Sequence, residues 1–152
     1  MAQRYLHKPY LIDNLKFDLR VYVLITCINP LRIFIYKEGL ARFATKEYVS
    51  PIGSNLANLM MHLTNYAINK ESEDFVANET ADATDVGHKR SLSAVFKHID
   101  EARMDNPQLF SSRQCWQLIK ELTVKTIIAA HQQIAHIYKS AKSQDVESSL
   151  CF

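Results

Sequence analysis

The chain has 152 residues, the size of one domain, and 47% hydrophobic content is enough to bury a core. Lys and Arg number 18 against 16 Asp and Glu, a formal net charge of +2 that makes no general electrostatic case for nucleic acid or an anionic membrane. No apolar run approaches the ~20 residues that span a bilayer, MAQRYLHKPY lacks the apolar region of a secretory signal, and three glycines with four prolines exclude a collagenous or low-complexity chain.

Cys27, Cys115 and Cys151 are odd in number and form no close pair, which predicts reduced thiols in a cytosolic setting, packed as small apolar groups. The chain opens in an extended pattern and closes on the apolar SSLCF, so it is expected to be a piece of a larger domain.

In chain order, QRYL (residues 3–6) predicts a short extended segment, bent at His7-Lys8-Pro9 because a residue before proline is pushed away from helix. Residues 10–12 continue extended and Asp13-Asn14 supplies a turn. Over residues 16–26 apolar and polar positions alternate: Phe17, Leu19, Val21, Val23 and Ile25 face one way, Lys16, Asp18 and Arg20 the other. Period two predicts a strand with one face in a core. Ile28-Asn29-Pro30 breaks it, and residues 31–36 resume as a second strand. Lys37-Glu38-Gly39 reads as another tight connection, with Gly39 free to take positive φ, before a third strand over residues 40–44.

Residues 49–58 are irregular, and residues 56–60 allow a short turn of helix. His62 to Tyr66 reads as extended. Residues 71–86 carry Glu71, Glu73, Asp74, Glu79, Asp82 and Asp85 with few large apolar residues, the composition of a mobile surface loop. Ser91 precedes a short helical pattern at Leu92, Val95, Phe96 and Ile99. Ser111 or Ser112 caps a longer one, with Trp116, Ile119, Thr123, Ile127, Ala130, Ile134 and Ile137 on one face and Lys120, Lys125, Gln132, Gln133 and Lys139 opposite. The predicted fold is α+β: an antiparallel β-meander backed by one long and one short helix.

No phosphate-binding glycine loop is present, with neither GxxxxGK[ST] nor GxGxxG. His131 and His136 are five apart on the long helix and do not align as metal ligands. The polar face of the first strand is the better lead. Lys16 suits phosphate oxygens, and Asp18 can take a ribose hydroxyl, a metal or the Lys itself. A solvated face with cross-strand ion pairs is the plain alternative. Arg42, in the apolar frame LARFA, is either a partner for a buried carboxylate or a fork for a substrate carboxylate. Thr64 and Asn65 end an apolar run, where polar tips often border a site.

These same residues carry a resemblance. The succession QRYLHKPYLIDNLKFDLRVYVLIT, PLRIFIYKEGLARFAT and MHLTNYAINK, followed by GHKRSLS and the long helix, closely resembles the tubulin-tyrosine-ligase-like family of ATP-grasp ligases. The LARFAT and HLTNYAINK variants look like its polyglutamylase branch. The resemblance implies an ATP-grasp-like fragment in which Gln3, Arg4, Tyr5 and Leu6 match the hinge that holds adenine. Lys16, Phe17 and Asp18 match the KFD of the nucleotide site, and Thr64-Asn65 the TN pair beside it. Arg42 matches the arginine that takes the carboxylate of free glutamate, and Lys89 a lysine that also contacts it. The family there carries GSKR, and His88 stands in the serine position.

The implied reaction uses ATP to convert a glutamate side chain of a tubulin C-terminal tail to an acyl phosphate, which the α-amine of free L-glutamate attacks to form an isopeptide bond. Tubulin tails, microtubules and L-glutamate are the implied partners, without nucleic acid or membrane. The implied setting is cytoplasmic, on the microtubule cytoskeleton, with cilium and basal body as candidate sites. The cofactors are ATP and Mg²⁺, whose ligands in this family follow SSLCF, while the lysine and loop over the phosphates precede Met1. Residues 1–152 then form a partial domain lacking its N-terminal nucleotide lobe and C-terminal metal-binding part, inactive in isolation. The alternative is a truncated, non-catalytic nucleotide- or microtubule-binding product.

Overall fold

Strand-forming and helix-forming patterns separate along the chain, and the elements follow them. A computed structural model describes residues 3–77 and 85–141. Glu79 and Asp82 of the acidic stretch, Cys151 and the rest of SSLCF lie outside the described residues. The elements are β1 (Phe17–Ile28), β2 (Leu31–Phe43), α1 (Leu59–His62), α2 (Tyr66–Asn69), β3 (Lys89–Ser91), α3 (Leu92–Asp105) and α4 (Ser112–Ala141). This is the α+β class the sequence predicts. The sheet runs β1-β2-β3, with a tight cis turn at Asn29-Pro30 between the first two strands. β3 is antiparallel to β2, pairing Leu40 with Ser91, Ala41 with Arg90 and Arg42 with Lys89.

Three sequence expectations are corrected. Lys37-Glu38-Gly39 is not a turn, because β2 runs unbroken from Leu31 to Phe43. Gly39 serves close approach instead: a Cβ there would collide with the carbonyl oxygen of Arg20. The left-handed glycine is Gly87, at φ 78°, directly before His88. The third strand is the short β3, not residues 40–44, and it forms from GHKRS just before α3. The stretch read as extended at His62 to Tyr66 is extended only between its ends, at Leu63 and Asn65, while His62 closes the single-turn helix α1 and Tyr66 opens the single-turn helix α2.

Two compact units divide the chain: the described parts of Met1–Arg20 with Gly39–Val95, and of Val21–Glu38 with Phe96–Phe152. In the first, Ile12, Ala41, Phe43, Met61, Leu92 and Val95 form the core. Phe17 stacks on Phe43 with centroids 5.2 Å apart and meets Tyr10 edge-on at 6.3 Å. The Asp13-Asn14 turn is present, both residues holding positive φ (54° and 59°), and Arg90 reaches Asp13 while its guanidinium lies over the Phe43 ring at 4.3 Å. Ser91 Oγ accepts the Ala94 N–H at 3.1 Å and caps the start of α3.

In the second unit Cys27, Ile28, Phe96, Ile99 and Tyr138 are buried, and Trp116 packs edge-on to Phe96 at 5.4 Å. Ser111 and Gln114 form a capping box: Ser111 N donates to Gln114 Oε1 at 2.8 Å, and Gln114 N donates to Ser111 Oγ at 3.2 Å. Ser112 donates from N and Oγ to Asp100 (2.8 and 2.6 Å), which holds that carboxyl below its ordinary range. The packed stripe of α4 is the predicted one except at its end. Ile137 is 67% exposed and Tyr138 takes the buried place, since a four-residue step from Ile134 turns less off the stripe than a three-residue step. His131 is half-buried, and its Nε2–H donates to the Ile28 carbonyl at 2.9 Å. His136 is exposed.

Candidate functional site

The polar face of β1 begins two side-chain clusters, both in the first unit. The first surrounds Lys16. Its Nζ donates to the His62 carbonyl at 2.8 Å and to the Tyr5 hydroxyl at 3.2 Å, and it lies 4.6 Å from the Tyr5 ring centroid. His62 Nε2 lies 3.1 Å from the Asn55 carbonyl oxygen, which can only accept, so the proton sits on Nε2. Nδ1 then accepts the Tyr5 hydroxyl at 2.8 Å. The Tyr48 ring meets His62 edge-on at 6.1 Å, its hydroxyl donates to the His7 carbonyl at 3.0 Å, and burial pushes that phenol up to about 12. Two of the three Lys16 ammonium hydrogens are thus used, which leaves one for an incoming oxygen. That is the fit the donor set offers to a nucleotide.

The second cluster centres on Arg42. Its Nε donates to Asp18 Oδ1 at 3.0 Å and its Nη2 to Asp18 Oδ2, a two-point pair that raises the guanidinium further above its ordinary value. Asp18 meets the carboxylate-partner reading of Arg42, and among the described residues the pair uses two of its five N–H groups. Lys89, its register partner across β2 and β3, joins it at a cavity of about 160 Å³. Phe43, Thr64, Tyr66, Asn69, Phe75 and His88 complete the lining.

His88 ties this wall together. Its carbonyl accepts the Phe43 N–H at 2.9 Å, its N–H donates to Val76 O at 3.1 Å, and its Nδ1 accepts the Val76 N–H at 2.9 Å. The ring stacks on Phe75 with centroids 5.6 Å apart, and burial lowers its pKa. The described ends of the acidic stretch are therefore joined by three hydrogen-bonded or stacked contacts at His88. Asn69, 1% exposed, is part of the cavity wall. Its Oδ1 accepts from the backbone N–H and hydroxyl of Thr45 (both 2.9 Å), and its Nδ2 donates to the carbonyls of Leu63 (2.8 Å) and Asn65 (3.1 Å).

Of the residues singled out from sequence, Tyr5 and Lys16 meet in the first cluster, and Asp18, Arg42, Thr64 and Lys89 gather at or beside the second. Phe17 turns into the core on Phe43. Asn65 is exposed and stands at the N-cap of α2, its side chain making no capping hydrogen bond. Gln3, Arg4 and Leu6 are exposed, Leu6 by 77%. Sequence reasoning missed His62, Tyr66, Asn69, Phe75 and His88 as site-building groups. The one local signal was MHL, where His62 stands as a lone polar residue between apolar ones, and an extended reading of that stretch hid it. Among the described residues no group of three or more His, Cys, Asp or Glu could hold a metal ion, so they do not make a Mg²⁺ site.

The family model described as "Tubulin-tyrosine ligase family" matches residues 1–149. The chain belongs to that family. It is 46% identical over 152 residues to "Probable beta-tubulin polyglutamylase" of Tetrahymena thermophila, covering 100% of this chain and 12% of the relative. It is 44% identical over 152 residues to "Tubulin polyglutamylase ttll6" of Danio rerio, again 100% of this chain and 18% of the relative. For "Tubulin polyglutamylase TTLL6" of Homo sapiens the figures are 43% over 152 residues, 100% and 16%. The chain spans less than a fifth of the length of these curated relatives. Their names agree with the polyglutamylase variants seen in LARFAT and HLTNYAINK, and no helix among the described residues is long and apolar enough to cross a membrane.

Proposed function

We propose that this chain supplies the nucleotide-facing and amino-acid-binding part of an ATP-dependent ligase that adds L-glutamate to glutamate side chains in tubulin C-terminal tails. The observation that carries the reading is the shared cavity of Arg42 and Lys89. Two cations stand there against the one carboxylate of Asp18, so the wall keeps a surplus positive charge. Free glutamate carries one net negative charge, and a planar fork plus a point charge suits its carboxylates. Asp18 orients the fork and leaves three N–H groups for the ligand.

Lys16, held by Tyr5 and His62, directs its remaining N–H to the nucleotide. ATP, when bound, supplies the phosphoryl group that activates the acceptor carboxylate as an acyl phosphate. The chain's own residues bind and orient: Arg42 and Lys89 the incoming glutamate, Thr64 the edge between the two clusters. The Mg²⁺ the family implies would be held by residues other than the described ones. Microtubules in cytoplasm or cilium are the setting this function requires.

Amino-acid choice tests the reading. The protein carrying this chain, supplied with tubulin, ATP and labelled glutamate, glycine or tyrosine in turn, incorporates glutamate and neither of the others. Incorporation of glycine or tyrosine at the same rate overturns the assignment of the cavity. Nucleotide binding with no incorporation of any of the three supports the non-catalytic alternative.

A further inference from the structure

The second unit holds a different kind of cleft, of about 970 Å³, where β2 faces the first turns of α4. Arg113, Trp116, Gln117 and Lys120 line it at the i, i+3, i+4, i+7 spacing that puts them on one face of the helix. Lys37 of β2 stands on the other side. The cleft therefore presents three cations from two elements around a half-buried indole, and no carboxylate lines it. Among the described residues Lys37, Arg113 and Lys120 form no ion pair.

The nearby acids are already engaged. Asp100 accepts two hydrogen bonds from Ser112, and Glu121 pairs with Lys125 and accepts from Gln117 Nε2 at 3.1 Å. Two of the opening N–H groups of α4 are taken as well, that of Ser112 by Asp100 and that of Gln114 by Ser111 Oγ. The cleft's charge is thus side-chain charge, open to a ligand. A groove of this composition matches a chain with closely spaced carboxylates, whose methylenes can lie on the Trp116 ring while the charges meet Lys37, Arg113 and Lys120.

We infer that this cleft is a docking groove for an acidic peptide segment, the glutamate-rich tail of the protein substrate, built from residues other than those that bind free glutamate. The inference rests on the proposed ligase reading for the identity of the tail, though the groove's charge stands without it. An anionic nucleic acid or lipid surface is the competing occupant. The regular spacing along one helix face and the single ring favour a narrow extended peptide.

Fluorescence anisotropy with a labelled glutamate-rich peptide tests it. In the protein carrying this chain, combined Lys37→Glu, Arg113→Glu and Lys120→Glu weakens peptide binding at least ~10-fold. ATP and free glutamate affinities stay within ~2-fold, since the substituted side chains belong to neither cluster. All three residues are exposed, and the single Gln variants, each with a smaller loss, serve if the triple variant does not fold. Unchanged peptide affinity in the folded triple variant overturns the groove. So does an oligonucleotide or an anionic phospholipid vesicle that binds more tightly than the peptide through the same three residues. Peptide binding that depends on the three cations, in a protein that transfers no amino acid, would leave the groove standing and remove the ligase reading. Transfer to tubulin at the parental KM in the triple variant would do the reverse.

Discussion

The side-chain amide of Asn69 holds three pieces of backbone at once: Thr45 after β2, and the carbonyls of Leu63 and Asn65 between α1 and α2. Thr64 reaches the cavity because both of its neighbours are pinned. Truncation to Ala would strand buried donors and acceptors, and each unpaired group costs about 1–3 kcal/mol. Asn69→Ala is expected to lower stability by about 2–4 kcal/mol. Urea denaturation should show an earlier midpoint with an unchanged m value, and an unmoved midpoint would contradict the role. His88 gives a pH signature. Burial lowers its folded pKa below the ordinary 6.5, so the unfolded chain takes up the proton first as pH falls. Stability therefore decreases as pH drops below about 6.5 and levels off once the folded state is protonated too. Denaturation midpoints between pH 7.5 and 5 should show this slope in the parent and a flatter one in His88→Gln. Residue chemistry was partly legible beforehand. Arg42 stood out because a guanidinium in LARFA needs a partner, whereas Asn69 and His88 act through backbone segments distant in sequence, which no local pattern displays.

At the scale of elements, β1, α3 and α4 were written in hydrophobic periodicity and in caps. The Ser111–Gln114 box and Ser91 sit where the sequence placed helix starts. β2 was harder, because Lys37-Glu38-Gly39 carries turn composition while its true constraint is the neighbouring strand. Gly39 is set by contact with Arg20 of β1, a tertiary fact that overrides local preference. Gly39→Ala is expected to cost about 1–3 kcal/mol, since backbone must shift to admit the Cβ. Thermal melting of the variant beside the parent measures it, and equal melting temperatures would show that β1 gives way freely. The α1–α2 region was legible only in the extended link between the two helices, for a related reason. Four-residue helices are too short to show a period, and HLTNY alternates enough to imitate a strand. What keeps them helical is the Asn69 amide and the turn-length backbone bonds such as Asn69 N to Asn65 O at 3.0 Å.

Across the whole molecule, the α+β class and the family follow from long runs, KFDLRVYVLIT and MHLTNYAINK above all, which survive errors in single elements. The candidate site is less evenly legible. Asp18, Arg42, Thr64 and Lys89 lie 71 positions apart at their extremes and converge because β2 is bracketed by β1 and β3. The order of the sheet had to be seen, since β3 has only three residues and no strand pattern. The central claim is that Arg42 and Lys89 receive free glutamate. Its most direct test is the rate of labelled glutamate transfer to tubulin, measured against glutamate concentration for the parent and for Arg42→Lys in the protein carrying this chain. Losing a two-point charged contact costs about 2–3 kcal/mol, so the glutamate KM should rise roughly 30–150-fold, with the ATP KM unchanged. A glutamate KM equal to the parent's would contradict the claim.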